Sequence, residues 1–331
     1  MGILPRKKSL GKKKGEDGYG QGKATIAFGD DVLLDEDAMV ETLLACLEAP
    51  DYRPPTLPAV AMELMSLSRK AEVEFSEVTA LLEQDTMIAG RILKLVQSPI
   101  YSGASKIESL NDALVRLGLR TLRDLVMEIS MNMKVFKSED YTDTMELLRR
   151  HATVTAHCSK LLCKYTEIEG EYAFMAGLLH DVGIAGTLLA LSDRKGRRKT
   201  PPDLIAIWPA VDRVHQRAAE IMAKHWELPE DIQLAIANHH QVMVQGHAHP
   251  LAATLCLANE LAHHAGSGVI PKEGDRVREM SALERDCVSS HTSVDRSTDK
   301  TLAHAREALR LSEAQLELAK GEAEELVQTL G

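Results

Sequence analysis

Apolar residues recur at helical spacing along most of this 331-residue chain, and no segment shows sustained alternation of apolar and polar residues. The segment DEDAMVETLLACLEAP is typical: acidic residues occupy the predicted first turn, Met39, Leu43 and Leu47 share one face, and Pro50 ends the helix. Aromatic residues make up only 4% of the chain, so Leu, Ala, Val, Ile and Met must fill the core. This composition favours helices over strands, and the sequence therefore predicts an all-α fold.

The helical segments fall into groups that are flanked by polar stretches. Residues 1–33 contain Gly and Lys without periodicity, as in GKKKGEDGYGQGK, and are predicted to be a disordered basic tail. Short helices over 34–136 predict a small N-terminal helical subdomain, which is expected to pack on a second helical subdomain over 141–265. Residues 266–298 are polar and irregular, which indicates a linker or excursion. Residues 299–331 are predicted C-terminal helices packed on the second subdomain.

Capping residues predict several helix ends. Asp85 and Ser109 each precede a segment with helical apolar spacing and are predicted N-caps. Gly118 is a predicted C-cap. Ser312 and Gln315 have the spacing of a capping box, which predicts that the C-terminal segment is divided into two helices.

Charge and cysteine content limit the partners and the location. The formal net charge is −10, so the protein has no general attraction to phosphate backbones, which argues against nucleic acid as a partner. We interpret the basic run in the tail as a solvated segment; contact with anionic lipid or nucleic acid is the alternative. The sequence predicts no transmembrane helix and no secretory signal. The five cysteines are scattered and form no CxxC, which favours reduced thiols and a cytoplasmic location.

The chain has 13 histidines, and several of them lie at the ends of apolar helices. His180 and Asp181 end one predicted buried helix, and His239 and His240 end another. His151 and His215 lie early in amphipathic helices. Any one of these histidines alone is more often a structural residue than a ligand, but their joint occurrence is more specific. A buried ionised Asp requires a cation or a hydrogen-bond network. Imidazole and carboxylate together suit Fe, Mn, Zn or Ni. We therefore expect His180, Asp181 and His239 to converge on one buried polar centre.

These residues carry a family resemblance. The pattern His151, His180-Asp181-Val-Gly183, His215, His239-His240 resembles the metal-binding pattern of the HD superfamily of phosphohydrolases, especially its HD-GYP branch. The upstream segments LPAVAMELMSL, FSEVTALLEQDTMIAGRILKLVQSPIYSG and IESLNDALVRLGLRTLRDLVM are closely similar to HDOD domains, the HD-related output domains of bacterial signalling proteins. The resemblance runs from about Tyr52 to His264 and implies an HD-like helical bundle whose helices bring these side chains together on metal ions.

The sequence also departs from the enzymes that it resembles. Those enzymes close the metal site with a late Asp, and the corresponding residue here is Asn259, whose amide oxygen is a weaker ligand. Where HD-GYP enzymes have a phosphate-contacting Lys this chain has Ile184, and where they have a Gly-Tyr-Pro motif it reads QVMVQGHAHP. His249 in that segment is an alternative ligand. The candidate metal ligands implied by the resemblance are His151, His180, Asp181, His215, His239, His240 and Asn259, and no catalytic residue is assigned.

The resemblance implies a bacterial signal-transduction output module that binds a signalling protein partner or a small nucleotide ligand and keeps part of a metal site. The alternative is a metal-dependent phosphohydrolase that acts on a cyclic dinucleotide or a nucleotide. Retention of six ligand positions favours metal binding, whereas the loss of substrate-contacting groups argues against turnover. A third interpretation is that the histidines and Asp181 form only a buried hydrogen-bond network.

Overall fold

A computed structural model describes residues 36–68, 70, 72–101, 107–168, 170, 172–192, 204–269 and 296–330. These residues form α-helices and one two-stranded antiparallel hairpin, so the predicted all-α fold is confirmed. The predicted tail at 1–33 lies outside the described residues, as does the larger part of the predicted linker at 266–298.

The first helices in chain order are α1 (Glu36–Leu47), α2 (Ala59–Leu67), α3 (Phe75–Glu83), α4 (Thr86–Leu95) and α5 (Leu110–Lys134). The Asp85 side chain caps α4 by accepting hydrogen bonds from backbone N–H groups of its first turn, as predicted. Ser109 forms a capping box with Asp112 at the start of α5. Gly118 ends the first of two helical segments that join at a kink inside α5, as predicted, since its φ of 75° and ψ of 164° are not helical. Glycine adopts this conformation at low cost because it has no Cβ.

The next helices are α6 (Thr142–Leu162), α7 (Ala173–Leu179), α8 (Val182–Ser192), α9 (Leu204–His225), α10 (Glu230–Ala237) and α11 (Pro250–His264). Between α10 and α11 the strands β1 (Met243–Val244) and β2 (His247–Ala248) form the antiparallel hairpin. Its turn consists of Gln245 and Gly246, both with positive φ, which is the conformation that tight two-residue hairpin turns require.

Two C-terminal helices complete the described chain, α12 (Arg296–Ala308) and α13 (Glu313–Leu330). The backbone N–H of Gln315 donates to Ser312, and the N–H of Ser312 donates to the Gln315 side chain, so the predicted capping box separates the two helices. Helix α12 packs on α11, and α13 packs on α6 and α11.

The buried apolar side chains of the described residues form three clusters. One lies mainly among α2–α5, a second among α6–α11, and a third where α12 and α13 cover α6 and α11. Although α1 precedes α2 in the chain, its Met39, Leu43 and Leu47 belong to the second cluster, and α1 packs on α8 and α9. The bundle α6–α11 is therefore covered by α1 on one side and by the C-terminal helices on another, so that side chains at its centre are buried.

One stretch of the described chain, Ala173–Ser192, is long and apolar enough to cross a membrane by length and composition, which the sequence analysis did not predict. It comprises α7 and α8, and 89% of its apolar window is buried inside the fold. Packing against neighbouring helices accounts for the hydropathy of these segments, as in the central helix of a globular domain.

Candidate metal centre

Six polar side chains from four parts of the chain meet among α6–α11. They are His151, His180, Asp181, His215, His239 and His240. His151, His180 and His239 are completely buried, whereas His240 is exposed and marks the open side of the site. His180 and Asp181 lie at the junction of α7 and α8, so the polar pair is placed where an apolar helix ends. The centre therefore contains most of the candidate ligands that the sequence singled out.

Two glycines allow the helices to approach closely enough to form this centre. A Cβ added at Gly177 would lie 2.7 Å from the Cα of Ala156, so α7 is pressed against α6 there. A Cβ added at Gly183 would lie 1.9 Å from the carbonyl oxygen of His215 and 2.6 Å from the nitrogen of Ala219. These contacts draw the His180–Asp181 junction towards α6 on one side and towards α9 on the other.

Asp181 lies between two groups of histidines, and each of its carboxylate oxygens faces one group. Oδ2 lies 3.2 Å from Nε2 of His180 and 3.5 Å from Nε2 of His151. Oδ1 lies 3.3 Å from Nε2 of His239 and 3.7 Å from Nε2 of His215. This is the arrangement that a carboxylate needs in order to be shared by two cations.

The other ring nitrogen of four histidines is held by a backbone carbonyl. Nδ1 of His180 donates to the Gly177 carbonyl at 2.8 Å, and Nδ1 of His239 donates to that of Ile236 at 2.7 Å. His215 makes the equivalent hydrogen bond to Asp212, and Nδ1 of His151 donates to a carbonyl at 2.6 Å. A carbonyl oxygen only accepts, so Nδ1 must carry the proton, and Nε2 of a neutral ring is left as an unprotonated lone pair.

The Nε2 atoms of these rings point at one another. Nε2 of His151 lies 3.2 Å from Nε2 of His180, and Nε2 of His215 lies 3.1 Å from Nε2 of His239. Two lone pairs cannot form a hydrogen bond to each other without an added proton. Ligands around a first-row divalent metal with bonds of about 2.0–2.1 Å are separated by about 3 Å. The donor set therefore fits a divalent metal better than it fits a closed hydrogen-bond network.

The protonation of the site follows from burial and from the charge of Asp181. Burial lowers the pKa of His151 to about 3, so its ring is neutral at physiological pH. Burial opposes ionisation of Asp181, but His180 and His239 outweigh burial and hold the pKa of Asp181 well below its ordinary value. Burial also opposes the charged form of His180, but the charge and hydrogen bond of Asp181 raise its pKa. A metal that binds His180 must therefore displace the Nε2 proton that this ring shares with Asp181, because a carboxylate and neutral imidazoles are the forms that bind metal.

Comparison with known proteins identifies the family. The family profile for the HDOD domain matches residues 55–242, which is more than half of the chain. The chain belongs to the HDOD family. An uncharacterized protein of Treponema pallidum is 27% identical to this HDOD chain over 215 residues, or 62% of the chain. The HDOD chain spans about two fifths of that curated relative, with 41% of its length covered.

Solved structures share the HDOD fold. An HDOD domain protein of unknown function from Geobacter sulfurreducens is 22% identical, with 89% of this chain and 97% of that chain covered and a TM-score of 0.60. A proposed metal-dependent phosphohydrolase from Shewanella amazonensis is 20% identical, with 87% and 99% covered and a TM-score of 0.58. A proposed signal transduction protein from Marinobacter aquaeolei is 17% identical, with 91% and 68% covered and a TM-score of 0.54. At these identities the similarity establishes the fold.

One face of helix α11 packs next to the histidine groups. The Sγ of Cys256 donates to the carbonyl of His239 at 2.9 Å, and the ring of His263 lies 5.0 Å from that of His151 between centroids. Asn259, the seventh candidate ligand, lies between these two residues on the helix, one turn before His263. Its Oδ1 is buried and has no hydrogen-bond partner. An orphaned amide oxygen on this face is consistent with a ligand that binds there.

The sequence analysis missed His263. The signal was present in its spacing of four residues from Asn259, which places both side chains on one helix face. His249, considered there as an alternative ligand, caps α11 instead: its Nδ1 accepts from the backbone N–H of Ala252 at 3.3 Å.

A second buried polar cluster, which the sequence analysis also missed, involves α5 and α6. Arg123 and Asp124 form an ion pair of 3.0 Å, with both side chains almost completely buried, and Lys160 of α6 lies 4.0 Å from Asp124. Burial raises the pKa of nearby Glu128 to about 7, although Arg149 and Thr153 oppose the rise. Glu128 therefore carries its proton in the folded protein at pH values where an exposed Glu is ionised.

Proposed function

We propose that this HDOD chain is a bacterial, cytoplasmic signalling module that holds divalent metal and acts by binding a protein partner or a small nucleotide ligand. The observation that carries the metal part is the convergence of Nε2 atoms whose Nδ1 atoms are held by carbonyls. Among the residues that the structure describes, Cys46, Cys158, Cys163 and Cys256 form no disulfide, which agrees with a reducing compartment.

The two histidine groups define how metal would be held. His151 and His180 would hold one divalent cation, and His215, His239 and His240 would hold a second, with Asp181 shared between them. A nitrogen-rich set of this kind suits Fe, Mn, Zn or Ni. Bound metal supplies Lewis acidity towards an anionic oxygen of a ligand. His240 lies on the exposed side of the centre, which gives such a ligand access from solvent.

The residues around the centre favour binding over turnover. Ile184 is 4% exposed and packs in the apolar core, so the position of the phosphate-contacting lysine contributes no cation. The segment that would carry the Gly-Tyr-Pro motif is a tight hairpin, followed by His249 as the cap of α11. Because Asn259 is an amide, Asp181 is the one carboxylate among the seven candidate ligands. A single negative charge compensates little of the charge of two divalent cations.

The alternative function is a metal-dependent phosphohydrolase. The placement of Asp181, with one oxygen facing each histidine group, favours it, because two-metal hydrolysis of phosphate esters requires two cations held close together by shared ligands.

Metal analysis of the full chain, purified anaerobically without chelator, tests the proposal. We expect Fe, Mn, Zn or Ni to copurify and His151→Gln to lower the metal content. His157→Gln is the matched control, because His157 is also buried in α6 and burial lowers its pKa to about 4, yet it lies in neither ligand group. Metal-free wild type after supplementation with each of the four metals would contradict the proposal.

A hydrolysis assay on the metal-loaded protein separates the two functions. Cyclic di-GMP and bis-(p-nitrophenyl) phosphate are incubated with wild type and with Asp181→Asn. Binding of cyclic di-GMP without product supports the module. Product release that Asp181→Asn abolishes supports the phosphohydrolase.

A further inference from the structure

His151 differs from the other carbonyl-bound histidines in the origin of its acceptor. Nδ1 of His180 and of His239 donates to the carbonyl three residues earlier, within or next to the same helix. Nδ1 of His151 instead donates to the carbonyl of Ser267, which is 116 residues away in sequence. Local helical geometry therefore orients the other rings, whereas the orientation of His151 depends on a tertiary contact.

The carbonyl of Ser267 is aimed by the turn that ends α11. The backbone N–H of Gly266 donates to His263, and that of Ser267 donates to Ala262, which is the hydrogen-bond pattern of a Schellman cap. Gly266 has a φ of 83°, and a Cβ added there would meet no atom within 4 Å. The conformation of Gly266, rather than side-chain packing against it, therefore determines where the Ser267 carbonyl points.

The turn is also fixed at its far end. Ser267 is 3% exposed, and Val269 is buried in the same apolar cluster as α6–α11. The helix that precedes the turn is covered by α12 and α13. The Ser267 carbonyl thus links His151 to the part of the fold on which the C-terminal helices pack.

We propose that the turn at Gly266 and Ser267 is a positioning element that sets the tautomer of His151, and thereby controls metal binding by His151, His180 and Asp181. The hydrogen bond keeps the proton on Nδ1 and presents the Nε2 lone pair to His180. The consequence for metal binding rests on the proposed function, whereas the tautomer itself does not.

The experiment uses the full-length chain labelled with ¹⁵N-histidine. Long-range ¹H–¹⁵N spectra of the metal-free protein report which ring nitrogen of each histidine carries the proton, and His151→Gln assigns the His151 signal. Competition with a chromophoric chelator measures the affinity for Zn²⁺. The variants are Gly266→Ala, Gly266→Asn and the control Gly246→Ala. Gly246 has a φ of 84° and equally open surroundings, but its turn is the tip of the hairpin. Melting curves verify that each variant is folded.

We expect Gly266→Ala to shift His151 away from the Nδ1–H tautomer and to weaken Zn²⁺ binding about 10- to 100-fold, the usual effect of losing a hydrogen bond to a ligating His. Gly266→Asn should restore most of the Nδ1–H tautomer of His151 and most of the affinity for Zn²⁺, because Asn tolerates positive φ better than Ala does. Gly246→Ala should behave as wild type. A wild-type tautomer and affinity in Gly266→Ala would overturn the proposal, and so would an equal loss in Gly246→Ala. Should the wild type bind no Zn²⁺, the proposed function fails, and the tautomer comparison alone then supports or overturns the positioning role.

Discussion

Substitution of Gly183 by Ala should separate the two helices that enclose the histidine centre. The added Cβ would lie 1.9 Å from the carbonyl oxygen of His215, whereas ordinary van der Waals contact begins near 3.4 Å. Helix α9 must therefore retreat by about 1.5 Å, because the obstructing atoms belong to its backbone and cannot rotate away. Overpacking of this kind costs about 1–3 kcal/mol, and the rigidity of the contact places Gly183→Ala near the upper value.

The same displacement moves His215 and weakens the centre. We expect Gly183→Ala to lower the free energy of unfolding by about 2–3 kcal/mol and divalent-metal affinity by at least tenfold. Urea unfolding of the metal-free protein measures the first effect, and metal titration measures the second. Both are compared with wild type under the same conditions.

Gly90→Ala is the matched control. Gly90 is an exposed residue inside α4, and a Cβ added there would meet nothing within 4 Å. Replacing glycine by alanine in an open helical position stabilises by about 0.5–1 kcal/mol, so this substitution should raise stability and leave metal affinity unchanged. Equal stability changes in Gly90→Ala and Gly183→Ala would refute the close-packing explanation.

Three further outcomes are expected. Asn259→Asp should raise divalent-metal affinity at least about tenfold, or about 1.4 kcal/mol, without creating cyclic dinucleotide hydrolysis; unchanged affinity in a metal titration would remove Asn259 from the ligand shell. The stability of wild type relative to Glu128→Gln should fall by about 3 kcal/mol as pH rises from 4.5 to about 7, because unfolded Glu128 ionises at its ordinary pKa while folded Glu128 keeps its proton to about 7. The comparison cancels the opposite contribution of buried His151 and His157, and a stability difference between the two proteins that is the same at pH 5 and pH 8 in urea unfolding would show that the assignment to Glu128 is wrong. Deletion of residues 1–30 should leave the melting temperature unchanged, since that sequence has too few apolar residues to pack, and a melting temperature lowered by several degrees would assign it to the fold.

The sequence could predict the features that depend on neighbours in the chain. Apolar spacing predicted the helices, and Asp85, Ser109 and Ser312 marked helix ends because a side-chain cap bonds to N–H groups two or three residues away. Gly118 was predicted to end a helix, and its positive φ does divide α5 into two helical segments, because glycine adopts this conformation at low cost. The ligand set came from a family resemblance together with the positions of the histidines at the ends of apolar helices.

Tertiary packing decided how those residues meet. Nothing in the local pattern places Asp181 between two histidine groups, draws α8 onto α9 at Gly183, or brings the Ser267 carbonyl to His151. Periodicity specifies which residues share a face of one helix, because side chains three and four residues apart are neighbours on its surface. It carries no information on which faces of different helices come together. That choice depends on the packing of the whole bundle, and so does the geometry of the candidate metal centre.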